Sequence, residues 1–207
     1  WYFRFRILTT PRLVNAVAKV VNEEHNKPPG ASQSATSLCA TPLFTDWLHA
    51  APPEHGIRGI VFLYKTAVTS LRSLFGRTPD LEIITNTPAI PETGGVLTMS
   101  DGQSLKASDN VRVVFTGTWQ ARGEKDTVFR VPADDGCRIY LDGRVILDYD
   151  GPHAFGAEVV SKPVRLAKGR HVIVIDYFEW GGNAGLGVQW QAAGGHFERL
   201  ESGAVLP

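Results

Sequence analysis

VPADDGCRIYLDGRVILDYD (residues 131–150) decides the fold. It reads as an Asp-Asp-Gly turn, a short strand, an Asp-Gly turn and a second strand. Asp142-Gly143 between two strand-like runs is a strong hairpin signal, because glycine supplies the φ > 0 conformation that a tight two-residue turn demands. We expect this hairpin at the centre of an antiparallel β domain. Whether its paired acids bind a ligand is the main functional question.

Outward from the hairpin, the chain alternates in short strand-like runs separated by Gly, Asp and Asn. The runs are residues 81–86, 95–99, 111–119, 126–131, 137–141, 144–149, 159–166, 170–178, 185–191 and 196–200. Many short strands at close spacing predict a sandwich or barrel. In the run 170–178, Val172, Val174 and Asp176 alternate with Ile173, Ile175 and Tyr177. Apolar residues thus fall on both faces, as in a central, covered strand. Trp119 and Trp190 read as core fillers. Cys137 shares a strand face with Ile139 and Leu141 and reads as a small core residue, with a disulfide to Cys39 left open.

Before residue 78 the period is helical. Thr10-Pro11 can start a helix in which Leu13, Val14, Val17, Val20 and Val21 form one apolar face, and Pro28-Pro29-Gly30 stops it. Residues 30–42 are small and polar and read as a linker. From 57 to 75, Ile57, Ile60, Val61, Tyr64, Val68, Leu71, Leu74 and Phe75 fit a second helix, with Arg58, Lys65 and Arg72 in one basic stripe. Such a helix packs on a core or docks on an acidic partner or membrane surface. Residues 1–77 hold nine Lys/Arg against four Asp/Glu, and residues 78–207 hold twelve against seventeen, so a net charge of zero splits into +5 and −5. We therefore expect a basic helical docking extension over 1–77 and a β domain over 78–207. Trp1, Tyr2 and Phe3 followed by Arg4 and Arg6 resemble a membrane-interface flank, and Trp1, Tyr2, Arg4 and Arg6 join Arg58, Lys65 and Arg72 as candidate docking residues.

Several signals appear in a fixed order: Thr116-Gly117-Thr118-Trp119, Asp134-Asp135-Gly136, Leu141-Asp142-Gly143, Leu166-Ala167-Lys168-Gly169, and His171 to Trp180 followed by Gly181-Gly182-Asn183-Ala184-Gly185-Leu186. Together they resemble the domain family named after the N-terminal region of anthrax protective antigen, the PA-fourteen domain, over roughly residues 111–192. In place of the family's Gly-x-Tyr-x-Phe-like strand stands Lys125-Asp126-Thr127-Val128-Phe129, which keeps only the last aromatic. The resemblance implies an antiparallel β-sandwich and an extracytoplasmic location, periplasmic or at the cell surface. Basic residues at a membrane flank favour the cytoplasmic side and pull against that location.

Sugar-binding members use the paired acids to hold a calcium ion that coordinates sugar hydroxyls. Asp134 and Asp135 match those positions, and Asn183 with carbonyls of the 181–187 loop is expected to complete the set. Two carboxylates are a start, since calcium takes six to eight oxygen ligands. Asp148, Asp150 and His153 form a second acidic group, which reads as a solvated turn. No nucleophile-base motif, Gly-x-Ser-x-Gly elbow or His-Glu-x-x-His pair is present, and the glycine run 181–187 lacks the strand-to-helix setting and Lys-Ser/Thr ending of a phosphate loop. The acidic β domain offers nothing to nucleic acid. These readings predict a non-catalytic module docked by its N-terminal helices onto a larger assembly or membrane as an accessory subunit, or a calcium-dependent carbohydrate-binding module.

Overall fold

The computed structural model describes residues 56–73, 79–202 and 205–206. Two antiparallel sheets carry the fold. The first runs in the order β2 (Leu81–Thr85), β1 (Ile57–Leu63), β4 (Val111–Ala121), β10 (Gly169–Glu179), β6 (Cys137–Leu141) and β7 (Arg144–Tyr149). A short strand β14 (Val205–Leu206) adds to it in parallel beside the end of β4. In the second sheet, β5 (Lys125–Asp134) pairs along one side with β11 (Ala184–Leu186) and β12 (Gln189–Ala192), and along the other with β8 (Glu158–Val160) and β9 (Val164–Leu166). The edges are β3 (Ile90–Thr93) beside β11 and β13 (Glu198–Arg199) beside β12.

Alternation along each strand sends one set of side chains between the sheets. Phe115, Trp119, Ile139, Ile173, Ile175 and Tyr177 from the first sheet meet Phe129, Val131, Ala133, Leu186 and Trp190 from the second in one core. Trp119 and Trp190 fill it, and Cys137 is fully buried there with a free thiol. Burial also holds that thiol well above its usual range, so it is inert as a nucleophile. The expected double-faced burial of β10 is borne out, since β4 and β6 flank it and Val174, Asp176 and Phe178 on its outer face are as buried as Ile173, Ile175 and Tyr177.

The hairpin forms as read, with Asp142 at φ 48° and Gly143 at φ 77° and Leu141 paired to Arg144. Its place differs from expectation. β7 is an edge strand of the first sheet, whose centre is the long β4–β10 pair running in register from Val111↔Glu179 to Ala121↔Gly169. Asp142 also anchors β10. Its carboxylate meets His171 Nδ1 at 2.7 Å and accepts from the Val172 N–H, while His171 Nε2 lies 2.8 Å from the Ala167 carbonyl. Burial works against an imidazolium here, but the Ala167 carbonyl and the Asp142 carboxylate outweigh it and raise the His171 pKa. A raised imidazole pKa contributes stability below the unfolded value and loses it as pH rises through the folded one. Asp142→Asn, which keeps the turn, should therefore lower Tm more at pH 6 than at pH 8. Equal losses at both pH values would contradict the ion pair.

One expectation fails outright. Residues 57–75 are not a helix: they form β1, paired on both sides with β2 and β4, then a loop and a 3-10 turn at Leu71–Ser73. The sandwich thus includes residues N-terminal to the expected boundary at 78. A strand buried on both faces is a continuous apolar run, and periodicity alone cannot separate it from a buried helix. The expected strand at 95–99 is likewise replaced by a loop with one bridge, Thr98↔Ser104, while β3 at Ile90–Thr93 went unread because Pro91 marks an edge strand. The expected helix at 10–27, Cys39 and the flank residues Trp1, Tyr2, Arg4 and Arg6 lie outside the described residues.

Candidate functional site

β5 ends at Asp134, and Asp135-Gly136 turns directly into β6, so both acids sit where the two sheets are joined. Gly136 is required here by close approach: a Cβ at this position would run into the Phe178 ring. β10 runs alongside and delivers Glu179 from its last position, on the inward face that carries Ile173, Ile175 and Tyr177. Asp134, Asp135 and Glu179 are 7%, 3% and 0% exposed. One carboxylate oxygen from each can be chosen so that all lie within 4.8 Å of one another.

The surroundings hold these carboxylates in place. The Phe155 N–H donates to Asp134 Oδ2 at 3.1 Å, and the His153 and Trp180 N–H groups donate to Asp135 Oδ1 and Oδ2 at 3.0 and 2.7 Å. Tyr177 donates its hydroxyl to the Asp134 carbonyl at 2.6 Å and lies 3.4 Å from Glu179 Oε2. Glu179 Oε1 is buried with no hydrogen-bond partner. The Asp134–Asp135 peptide bond is cis.

Three carboxylates packed this closely repel one another. Burial first, then the charges of Asp135 and Asp134, push the Glu179 pKa up to about 8. Burial is also the largest influence on Asp134 and Asp135, and it raises both despite the donors from Phe155, Trp180 and His153. Among the described residues no lysine or arginine pairs with the three, in contrast to Asp176 and Asp148, which meet Arg112 and Arg138. The donor set fits a hard divalent cation. Calcium binds carboxylate oxygens at ~2.3–2.6 Å, so ligands on opposite sides of one ion stand about 5 Å apart, which is the spread found here.

Of the residues expected at the site, Asp134 and Asp135 are brought together as the sequence implied. Asn183 stands exposed one residue before β11, with its Oδ1 2.9 Å from where a Cβ on Gly94 would lie. Glu179 was missed. Its signal was available in HVIVIDYFEW, where an acid continues the inward positions 173, 175 and 177. Asp150 and His153, read as a solvated turn, are structural: Asp150 accepts from Ser70 Oγ and the Leu71 N–H, and the His153 ring stacks on Tyr149 at 3.6 Å. Their loop supplies the His153 and Phe155 donors to the acids. The stripe Arg58, Lys65 and Arg72 does not exist as a surface. Arg58 lies on β1 against Glu82, Lys65 is exposed in the following loop, and Arg72 is exposed on the 3-10 turn.

A two-sheet β module with a buried acid triad at the sheet junction defines the class. The PA14 domain model matches residues 80–198, more than half of the chain, and the chain belongs to the PA14 domain family. A PA14 sugar-binding domain from an RTX adhesin is 20% identical, with 73% of this chain and 98% of that one covered at a TM-score of 0.59. The PA14 domain of the MpAFP antifreeze protein is 13% identical, with 74% and 94% covered at 0.61. The Epithelial Adhesin 9 A domain from Candida glabrata, in complex with Galb1-3GlcNAc, is 11% identical, with 70% and 87% covered at 0.53. At these identities the likeness concerns the fold. No curated protein matches the chain.

The triad's protonation gives a testable pH dependence. Glu179 has a folded-state pKa of about 8 against an ordinary 4.5. Its contribution to stability is therefore full below pH 4.5 and disappears as pH rises through 8, a loss on the order of a few kcal/mol. Chelated protein should melt progressively lower from pH 5 to pH 8. Glu179→Gln should flatten that slope and melt higher than the parent at pH 8. Parallel slopes in the two proteins would argue against the repulsion.

Proposed function

We propose that this domain is a non-catalytic, calcium-dependent carbohydrate-binding module, with Asp134, Asp135 and Glu179 holding the cation and Asn183 with neighbouring carbonyls completing its shell. The observation that carries this reading is the triad itself: three buried carboxylates with an unpartnered Glu179 oxygen and no compensating basic side chain among the described residues. A cation there neutralises the charge and leaves coordination positions for a polyol, whose adjacent hydroxyls are hard oxygen ligands. Trp180 supports a sugar rather than a bare ion. Its backbone N–H is tied to Asp135 while the residue is 44% exposed, an aromatic face held beside the acids. The sugar named with the RTX adhesin domain and the Galb1-3GlcNAc complex of the Candida domain support the ligand class.

An extracytoplasmic setting goes with this reading, supported by similar structures named as adhesins. No helix among the described residues is long and apolar enough to cross a membrane. Docking as an accessory subunit loses the Arg58–Lys65–Arg72 stripe on which it partly rested, and what remains of it lies in residues 1–55. The test is a glycan array probed with and without chelator. Binding confined to calcium-containing buffer supports the proposal, and binding that survives chelation, or none on any glycan, refutes it.

A further inference from the structure

In a two-layer sandwich each sheet buries one face and offers the other to water. The outer face of the first sheet departs from this. Phe62, Val114, Tyr140 and Val174, from β1, β4, β6 and β10, form an apolar cluster at 2%, 1%, 4% and 1% exposure, with Ile60, Val145 and Val172 packed around it. The same face buries Arg112 and Asp176, which meet through two hydrogen bonds of 2.7 and 2.8 Å. Side chains standing on one open sheet surface do not exclude water from each other this completely, so a further layer lies over them. The described loop after β1 accounts for one end only: its Val68 and Leu71 pack on Phe178 as a separate cluster.

We propose that the outer face of the first sheet is the docking surface for the chain's own N-terminal segment, through the apolar stripe Leu13, Val14, Val17, Val20 and Val21. Three observations select this occupant. The stripe has helical spacing, and a helix over residues 11–27 would be roughly 25 Å long. The face to be covered spans β1, β4, β10 and β6, about 15 Å across at ordinary strand spacing. The chain also enters the sheet at that face, because Gly56 leads into β1 with Ile57 opposite Thr85 and Arg58 opposite Thr116. Residues 28–55 form a tether that can reach any point of the face at ~3.3 Å per residue, and a tethered cover acts at high effective concentration. Its surface need only be apolar, since Arg112 and Asp176 neutralise each other beneath it. The segment expected to hold a partner or membrane then serves as a third layer of its own domain.

Photo-crosslinking in the full chain tests this, with p-benzoylphenylalanine in place of Val17 or, on the opposite side of the stripe, Lys19. The proposal expects crosslinks within one chain from position 17 to peptides carrying Phe62, Val114, Tyr140 or Val174, and none of these from position 19. Crosslinks between two chains, to another surface, or equally from both positions would overturn it. A second variant reads the same contact without the probe. Val17→Asp in the full chain should speed amide exchange in β6 and β10 by roughly tenfold or more, as local protection is lost. Unchanged exchange there contradicts the proposal.

Discussion

Asp135→Asn is expected to abolish calcium-dependent glycan binding while the metal-free protein stays folded. The carboxylate of Asp135 stands between two backbone donors, His153 and Trp180, and within ligand distance of Asp134 and Glu179. An amide fills the same space but can accept only through its oxygen, so one of the two N–H groups loses its partner at a cost of about 1–3 kcal/mol. Relief of repulsion in the triad works in the other direction, and Tm in chelator should move by only a few degrees. The cation loses a charged ligand, and its affinity should fall by about 100-fold or more. Calorimetry with calcium and the glycan array read the two effects separately. Parental calcium affinity in this variant would remove Asp135 from the site.

The largest effect on stability is expected at Asp176. Arg112 and Asp176 are 7% and 2% exposed and form a bidentate pair under the apolar cluster of the outer face, with the Arg112 guanidinium 5.9 Å from the Phe62 ring centroid. Burial opposes the arginine's charge, and Asp176 more than offsets it. Asp176→Ala leaves that charge buried without its counterion, which should cost about 3–5 kcal/mol. Replacing both partners with apolar residues, Arg112→Met with Asp176→Leu, should restore much of the loss, because the penalty is for the stranded charge and not for the missing bond. Denaturant unfolding of the two variants checks this. A double variant no more stable than Asp176→Ala would show that the pair contributes more than charge compensation.

What was legible in the sequence was local. Asp142-Gly143 defined its hairpin, and β2, β4, β5, β6, β7 and β10 fall close to the expected runs because alternation and glycine turns are properties of neighbouring residues. Residues 57–63 were not legible as a strand, since a central strand with both faces covered lacks alternation. Gly59 was the overlooked hint. It is a poor choice for a helix interior, and in β1 it lies where a Cβ would be 2.7 Å from Ile83 Cγ1. The site was half legible. Asp134 and Asp135 are adjacent in the chain, whereas Glu179 joins them only because β10 is threaded between β4 and β6 with its C-terminal end at the turn following β5. Sheet order of that kind depends on contacts distant in sequence, and no spacing rule encodes it.

The central claim is that the acid triad is a cation site, and thermal melting of the full chain at pH 8 tests it most directly. At this pH the metal-free triad carries its greatest repulsion, so a bound ion has its largest effect. Millimolar calcium should raise Tm by several degrees over chelator, since an ion present at 100 times its Kd stabilises by about 2.7 kcal/mol. The gain should shrink in Glu179→Gln and vanish in Asp135→Asn. Identical melting curves with calcium and with chelator would contradict the account.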